Sequence, residues 1–202
     1  MKIIVIGASG TIGSAVVDLL SERHTVVRVA RTAGDYHADL TNPDSIRSLY
    51  EKVAPFDAVV SCAGSARFKP LEALTDDDFT ASLSNKLMGQ VNLVRLGQRY
   101  IQDGGSFTLT SGVLANEPMH GSAAISLVNA GLEGFARAAA LELLPRKIRV
   151  NVVSPPWVSE TLVAMGKEAS GGMPAAEVAK AYVESVENRS KDGEVLDARK
   201  FA

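Results

Sequence analysis

Residues 2–13 read Lys2-Ile3-Ile4-Val5-Ile6-Gly7-Ala8-Ser9-Gly10-Thr11-Ile12-Gly13, and their reading decides the fold. Residues 3–6 form an unbroken β-branched run, the pattern of a parallel strand buried on both faces rather than one. The run stops at Gly7, and glycine recurs at Gly10 and Gly13 in the spacing G-x-x-G-x-x-G. Ala15, Val16, Leu19 and Leu20 then recur at helical spacing. A strand, a glycine-rich turn and a helix in this order aim backbone amides and the positive end of a helix at a pyrophosphate. Gly7, Ser9, Gly10, Thr11, Ile12 and Gly13 are therefore candidate cofactor contacts, the alternative being a tight turn with a purely structural role.

Outward from this turn, residues 26–30 read as a second strand ending in Ala30-Arg31-Thr32. An acid at that place ordinarily bonds an adenosine 2′-hydroxyl. Arg31 instead offers a fork matched to a 2′-phosphate, which favours NADP(H) over NAD(H) unless the residue is simply a solvated surface arginine. Asn42 or Thr41 is placed to cap a helix opened by Pro43 and running to about residue 53. Residues 57–61 read as a strand. Leu83, Leu87, Val91 and Val94 mark a long helix expected to end near Gly104-Gly105, with a strand over 106–110. A helix is expected over 122–144, a strand over 147–153, a helix over about 174–189 and a last short strand near Val195. Strand and helix alternate throughout, which predicts an α/β fold: one domain spanning 1–202, a doubly wound parallel sheet with helices on both faces. Residues 159–173, with Gly171 and Gly172, are short for a substrate lid.

The 202 residues are 46% hydrophobic and 22% charged with net charge −2, too apolar and too nearly neutral for a disordered chain. No basic excess exists to draw nucleic acid. Cys62 is the only cysteine, which excludes an internal disulfide and a multi-cysteine metal site, and His24, His37 and His120 lack ligand spacing, so no metal is expected. No apolar run has the length of a membrane span, and the four apolar residues after Lys2 are too few for a signal peptide. A cytoplasmic protein acting on a small-molecule substrate, with no membrane or nucleic-acid partner, is expected.

The motifs together resemble the short-chain dehydrogenase/reductase family over nearly the whole chain. Besides GASGTIG at 7–13, they are DLT at 39–41, Ser61-Cys62-Ala63-Gly64 where the family typically has Asn-Asn-Ala-Gly, and Thr110-Ser111 at the serine strand. LEGFARAAALEL at 132–143 and KIRVNVVSPPWV at 147–158 complete the set. The resemblance implies a Rossmann fold and hydride transfer between NADP(H) and a small carbonyl or alcohol. It implies further cofactor contacts at Asp39, Leu40, Cys62, Ala63, Gly64, Pro155 and Val158, although Pro156 stands where the family usually has glycine. It also implies a homodimer or homotetramer paired through the 122–144 helix and the long helix before it. There Gly131, Gly134, Ala138, Ala139 and Ala140 would let a second helix approach, or pack on the chain's own sheet.

The family's catalytic Asn, Ser, Tyr and Lys are not all present. Aligning LEGFARA puts Ile125 at the tyrosine and Asn129 at the lysine, and in any register no tyrosine lies between Tyr100 and Tyr182 and no lysine between Lys86 and Lys147. With Gly89 as anchor, Lys86 stands at the asparagine. Lys86 and Asn129 thus look exchanged, facing each other across one pocket, or else Lys86 is an ordinary solvated helix lysine. The candidate catalytic group is Ser111, Lys86 and Asn129, with Lys86 as acid or oxyanion partner. His120, in the loop before the 122–144 helix, is a second candidate proton donor. A catalytically inactive NADP(H)-binding sensor or scaffold is the alternative reading.

Overall fold

A computed structural model describes residues 1–202, and in it the opening run is the central strand β1 (Lys2–Ile6) of a seven-stranded sheet. The remaining strands are β2 (Thr25–Ala30), β3 (Tyr36–His37), β4 (Phe56–Ser61), β5 (Ile101–Thr110), β6 (Arg149–Ser154) and β7 (Val195–Asp197). They lie in the order β3-β2-β1-β4-β5-β6-β7, every pairing parallel. Residues 3–6 are all but fully buried because each face of β1 meets its own core. Ile4 and Ile6 pack with α2 (Pro43–Val53), α4 (Gly89–Gly97) and α5 (Ala123–Leu143), through Leu49, Leu93 and Leu132 among others. Ile3 and Val5 pack on the opposite face with α1 (Thr11–Ser21) and α7 (Ala175–Glu187), through Leu20 and Tyr182. The strand order reverses between β1 and β4, and the crevice beyond their carboxyl ends is where such sheets bind ligands.

Local chemistry fixes the helix starts. Asn42, not Thr41, caps α2: its side chain accepts from the Asp44 amide at 2.9 Å and Pro43 follows at the first helical position. Thr75 and Asp78 form a capping box at α3 (Asp76–Ser82), a signal readable in the sequence but missed. At the far end of α7, the buried Arg149 guanidinium donates to the carbonyls of Ser185 at 2.7 Å and Val186 at 2.8 Å, closing the helix terminus.

One expected boundary is wrong. The helix marked by Leu83 to Val94 ends at Gly97, and β5 begins at Ile101, so Gly104 and Gly105 lie inside a strand. Gly104 has φ +77°, and the β4–β5 register shifts between Phe56 and Ala58, so these glycines form an irregularity in the strand rather than its edge. Apart from short 3-10 turns, four elements were not anticipated: β3, α3, the short α6 (Ser159–Ala164), and a π-helical turn, Leu83–Met88, joining α3 to α4.

Candidate active site

Gly7 turns at φ +83°, and a Cβ on Gly13 would sit 1.9 Å from the Gly7 carbonyl oxygen, so only glycine lets α1 start this close to β1. The amides of Gly7 and Ala8 donate to the Val29 carbonyl of β2 at 2.8 and 3.1 Å and that of Gly10 to the Gly7 carbonyl at 2.9 Å, whereas those of Ser9, Thr11, Ile12 and Gly13 have no protein acceptor. No acidic residue occupies the first turn of α1 to repel an anion. Beside this turn lies a cavity of about 410 Å³ whose wall includes Gly7, Ser9, Gly10, Arg31, Asp39 and Leu40. The Asp39 carboxylate accepts from the Thr41 amide at 2.9 Å and its hydroxyl at 2.8 Å. Those bonds, with the nearby Arg31 charge, hold its pKa below the usual carboxylate range.

Cys62, Ala63 and Gly64, just past β4, are shared with a second cavity of about 210 Å³. Its wall also holds Ile12, Lys86, Ser111, Asn129, Pro155 and Val158, so the glycine turn, the strand ends and the catalytic candidates converge. Of the candidate cofactor residues, only Thr11 and Gly13 lie behind the two cavity walls, in the first turn of α1. The Cys62 thiol is pushed well up in pKa by burial, which makes it a small filler rather than a nucleophile.

Lys86 projects from the π-helical turn and is 8% exposed. Its ammonium donates to the main-chain carbonyl of Ser111 at 3.0 Å, and burial pulls its pKa down to about 8. Asn129, 1% exposed on α5, donates its Nδ2 to the Gly112 carbonyl at 3.3 Å. Its Oδ1 is buried with no donor facing it. Lys86 and Asn129 therefore contact adjacent residues, Ser111 and Gly112, from the π-helical turn and from α5, which lie side by side on one face of the sheet. The Ser111 hydroxyl donates to Glu133 Oε1 at 3.1 Å, and Asn116 Nδ2 reaches Oε2 at 3.3 Å. Gln90 stitches α4 to the end of β5, donating to the Thr110 carbonyl at 2.9 Å and accepting its amide at 2.8 Å. Neither Glu133 nor Gln90 is singled out by the sequence, although Glu133 lies inside the 132–143 motif and Gln90 directly follows Gly89, because their partners at 110 and 111 are distant in the chain. Ile125 lines the cavity, whereas His120 is exposed and outside the wall. Glu117 pairs with Arg199. Trp157 lines the mouth, with Phe68 edge-on at 5.8 Å and the Lys167 ammonium 5.7 Å from its ring.

Unpaired amides at the start of α1, beside two cavities that share Cys62, Ala63 and Gly64, fit a dinucleotide lying across the crevice. Fold and site together define a doubly wound oxidoreductase of the dinucleotide-binding class. The chain belongs to the short-chain dehydrogenase/reductase family: the profile described as enoyl-(acyl carrier protein) reductase matches residues 11–189. Among characterised relatives, it is 32% identical over 138 residues to a hydroxynaphthalene reductase of Aspergillus fumigatus, covering 66% of this chain and 50% of that one. It is 29% identical over 184 residues to the 3-oxoacyl-[acyl-carrier-protein] reductase of Rattus norvegicus, covering 81% and 78%. The chain thus spans half the length of the first relative and about four-fifths of the second. The solved structure of the protein lin1944 from Listeria innocua superposes with TM-score 0.92 at 43% identity, covering 98% of each chain. A small-chain dehydrogenase in complex with NADPH superposes with TM-score 0.85 at 27% identity, covering 98% of this chain and 95% of that one.

Proposed function

We propose that this chain is an NADP(H)-dependent reductase of small carbonyl compounds in which Lys86, Ser111 and Asn129 replace the family's usual tyrosine–lysine pair. The observation that carries the reading is that Lys86 and Asn129, standing at each other's expected positions, line one cavity beside the glycine turn. The nicotinamide, when bound, supplies the hydride. The turn amides would hold the pyrophosphate and Arg31 the 2′-phosphate, in keeping with the NADPH held by the 27%-identical neighbour. Asn129, buried in the cavity wall, would hold the Gly112 carbonyl and the loop after β5 in place. Lys86 gives its proton to the carbonyl oxygen as hydride reaches the carbon, leaving an alcohol and a neutral amine that water reprotonates. Its charge also stabilises the developing oxyanion in a water-poor cavity. Residues 159–173, stapled by the Met173 amide to the Trp157 carbonyl at 2.8 Å, form the short lid of this single-domain protein.

A cofactor-binding protein without turnover is the second reading, favoured by Ile125 where the tyrosine would stand. Titration of NADPH and NADH into wild type and Arg31→Ala, followed by turnover of Lys86→Met and Ser111→Ala, separates the two. Tighter NADPH binding erased by Arg31→Ala, with turnover reduced on the order of 100-fold in Lys86→Met, supports the enzyme. NADPH binding with no turnover of any carbonyl supports the second reading, and no binding of either nucleotide refutes both.

The same reading includes a homo-oligomer in the cytoplasm. Ala139 and Ala140 are buried in this chain's own core, but Leu127, Gly131, Gly134, Ala138 and Leu141 form an exposed stripe on α5. No helix is long and apolar enough to cross a membrane.

A further inference from the structure

The wall of the smaller cavity contains one charged side chain, Lys86, and no acid. No carboxylate oxygen lies within 4.0 Å of its ammonium, which makes no salt bridge anywhere in the chain. An ammonium has three N–H donors, and only one is used, on the Ser111 carbonyl at 3.0 Å. Buried charges are ordinarily paired, so this one is out of balance in the ligand-free protein. The nearest acid by connectivity, Glu133, serves the Ser111 hydroxyl, Asn116 and, at 3.7 Å, Arg137. The thiol of Cys62 is neutral, and the second cation near the mouth, Lys167 over Trp157, adds charge of the same sign. The rest of the wall is largely apolar, with Ile12, Val113, Leu114, Ile125 and Trp157 facing the space.

We propose that the cavity selects small oxo acids: carbonyl compounds whose carboxylate pairs with Lys86 while their aliphatic part lies against Ile125 and Trp157. Its chemistry rests on the reductase reading above; its charge preference rests on the cavity wall alone. The two free N–H donors of Lys86 serve a carboxylate oxygen and the reacting carbonyl oxygen together. That arrangement restores the missing pairing and orients the carbonyl with the same group that protonates it.

Trp157 is the only tryptophan in the chain and lines this cavity, so its fluorescence reports occupancy without turnover. The experiment titrates 4-oxopentanoate and its neutral isostere 4-oxopentanamide into wild type, Lys167→Gln and Lys86→Met, with and without saturating NADP⁺, at pH 7 and pH 9.5. The expected result is at least 10-fold tighter binding of the acid at pH 7. The ratio collapses toward one at pH 9.5 and in Lys86→Met, and most of it survives in Lys167→Gln. Equal affinities at pH 7, a preference that persists in Lys86→Met, or no Trp157 response to the acid overturns the proposal. The wild-type comparison across pH decides even if the variant is poorly folded. NADPH binding, read by nicotinamide fluorescence in parallel samples without NADP⁺, keeps the two readings apart. Cofactor binding without acid preference removes the substrate class and spares the reductase. Acid preference without reduction of any oxo acid does the reverse.

Discussion

Replacing Lys86 by Met keeps an unbranched side chain one atom shorter and removes a buried charge, so it weighs desolvation directly. The lysine pKa falls from 10.5 to about 8, a shift caused by burial alone. At 1.36 kcal/mol per pKa unit, the charged form costs the folded protein about 3 kcal/mol. Losing the donor to the Ser111 carbonyl offsets about 1–2 kcal/mol of that, so the variant is expected to be the more stable protein at pH 7. The sign with pH follows from the order of the two pKa values. The folded lysine sheds its proton first, unfolding takes a proton up between pH 8 and 10.5, and wild-type stability therefore rises across that window. From pH 7 to pH 9.5 the wild type should gain about 2 kcal/mol relative to Lys86→Met. Urea unfolding of both proteins at the two pH values measures this difference, and every other titrating group cancels in it. A difference constant with pH would show that the ammonium is solvated in the folded state, and the account of the cavity would fall with it.

Reduction by the wild type should lose rate as pH rises through about 8, because Lys86 then carries no proton to give; a flat profile to pH 9.5 removes it as the acid. Gly13→Ala places a Cβ 1.9 Å from the Gly7 oxygen, and is expected to cost about 3 kcal/mol and to weaken NADPH binding more than about 10-fold. Unchanged NADPH titration would show that the turn does not hold the pyrophosphate. Arg149→Met strands the Ser185 and Val186 carbonyls at the end of α7 and should cost about 3 kcal/mol in urea unfolding; a loss under about 1 kcal/mol refutes the capping role. If the proposed oligomer forms through α5, Leu141→Asp, at a position 75% exposed on that helix, should give a monomer in light scattering while leaving the circular dichroism unchanged. A wild type already monomeric refutes the interface.

The first strand and its turn were legible because burial on both faces leaves no polar residue to interrupt residues 3–6, and because the turn has room only for glycine. The same reasoning failed at Gly104 and Gly105. Glycine was read as punctuation between elements, but here it sits within β5, while the true helix end, Gly97, is pressed against Tyr50 and Phe107. Lys86 and Asn129 could be brought to one pocket on paper only through the Gly89 anchor. Their actual partners, main-chain carbonyls at 111 and 112, leave no trace in side-chain identity. The Ser111–Glu133 contact was equally silent, since it joins a strand end to a helix 22 residues later and neither residue departs locally from its neighbours' pattern.

The π-helical turn that carries Lys86 has a consequence for how such a pocket changes over time. Immediately after it, α4 is locked: a Cβ on Gly89 would come within 2.9 Å of Leu40, and one on Gly97 within 2.9 Å of Phe107. The helix beyond the turn cannot rotate, so one surplus residue is absorbed upstream as a wider turn. Gaining or losing a single residue there swings the preceding side chains by about 100° while the sheet keeps its register. One residue more or fewer in this turn would therefore change which side chain meets the pocket wall without any change at Gly89 or beyond it. Libraries of one-residue insertions and deletions across 83–88 would offer protein engineers the same freedom on an unaltered scaffold.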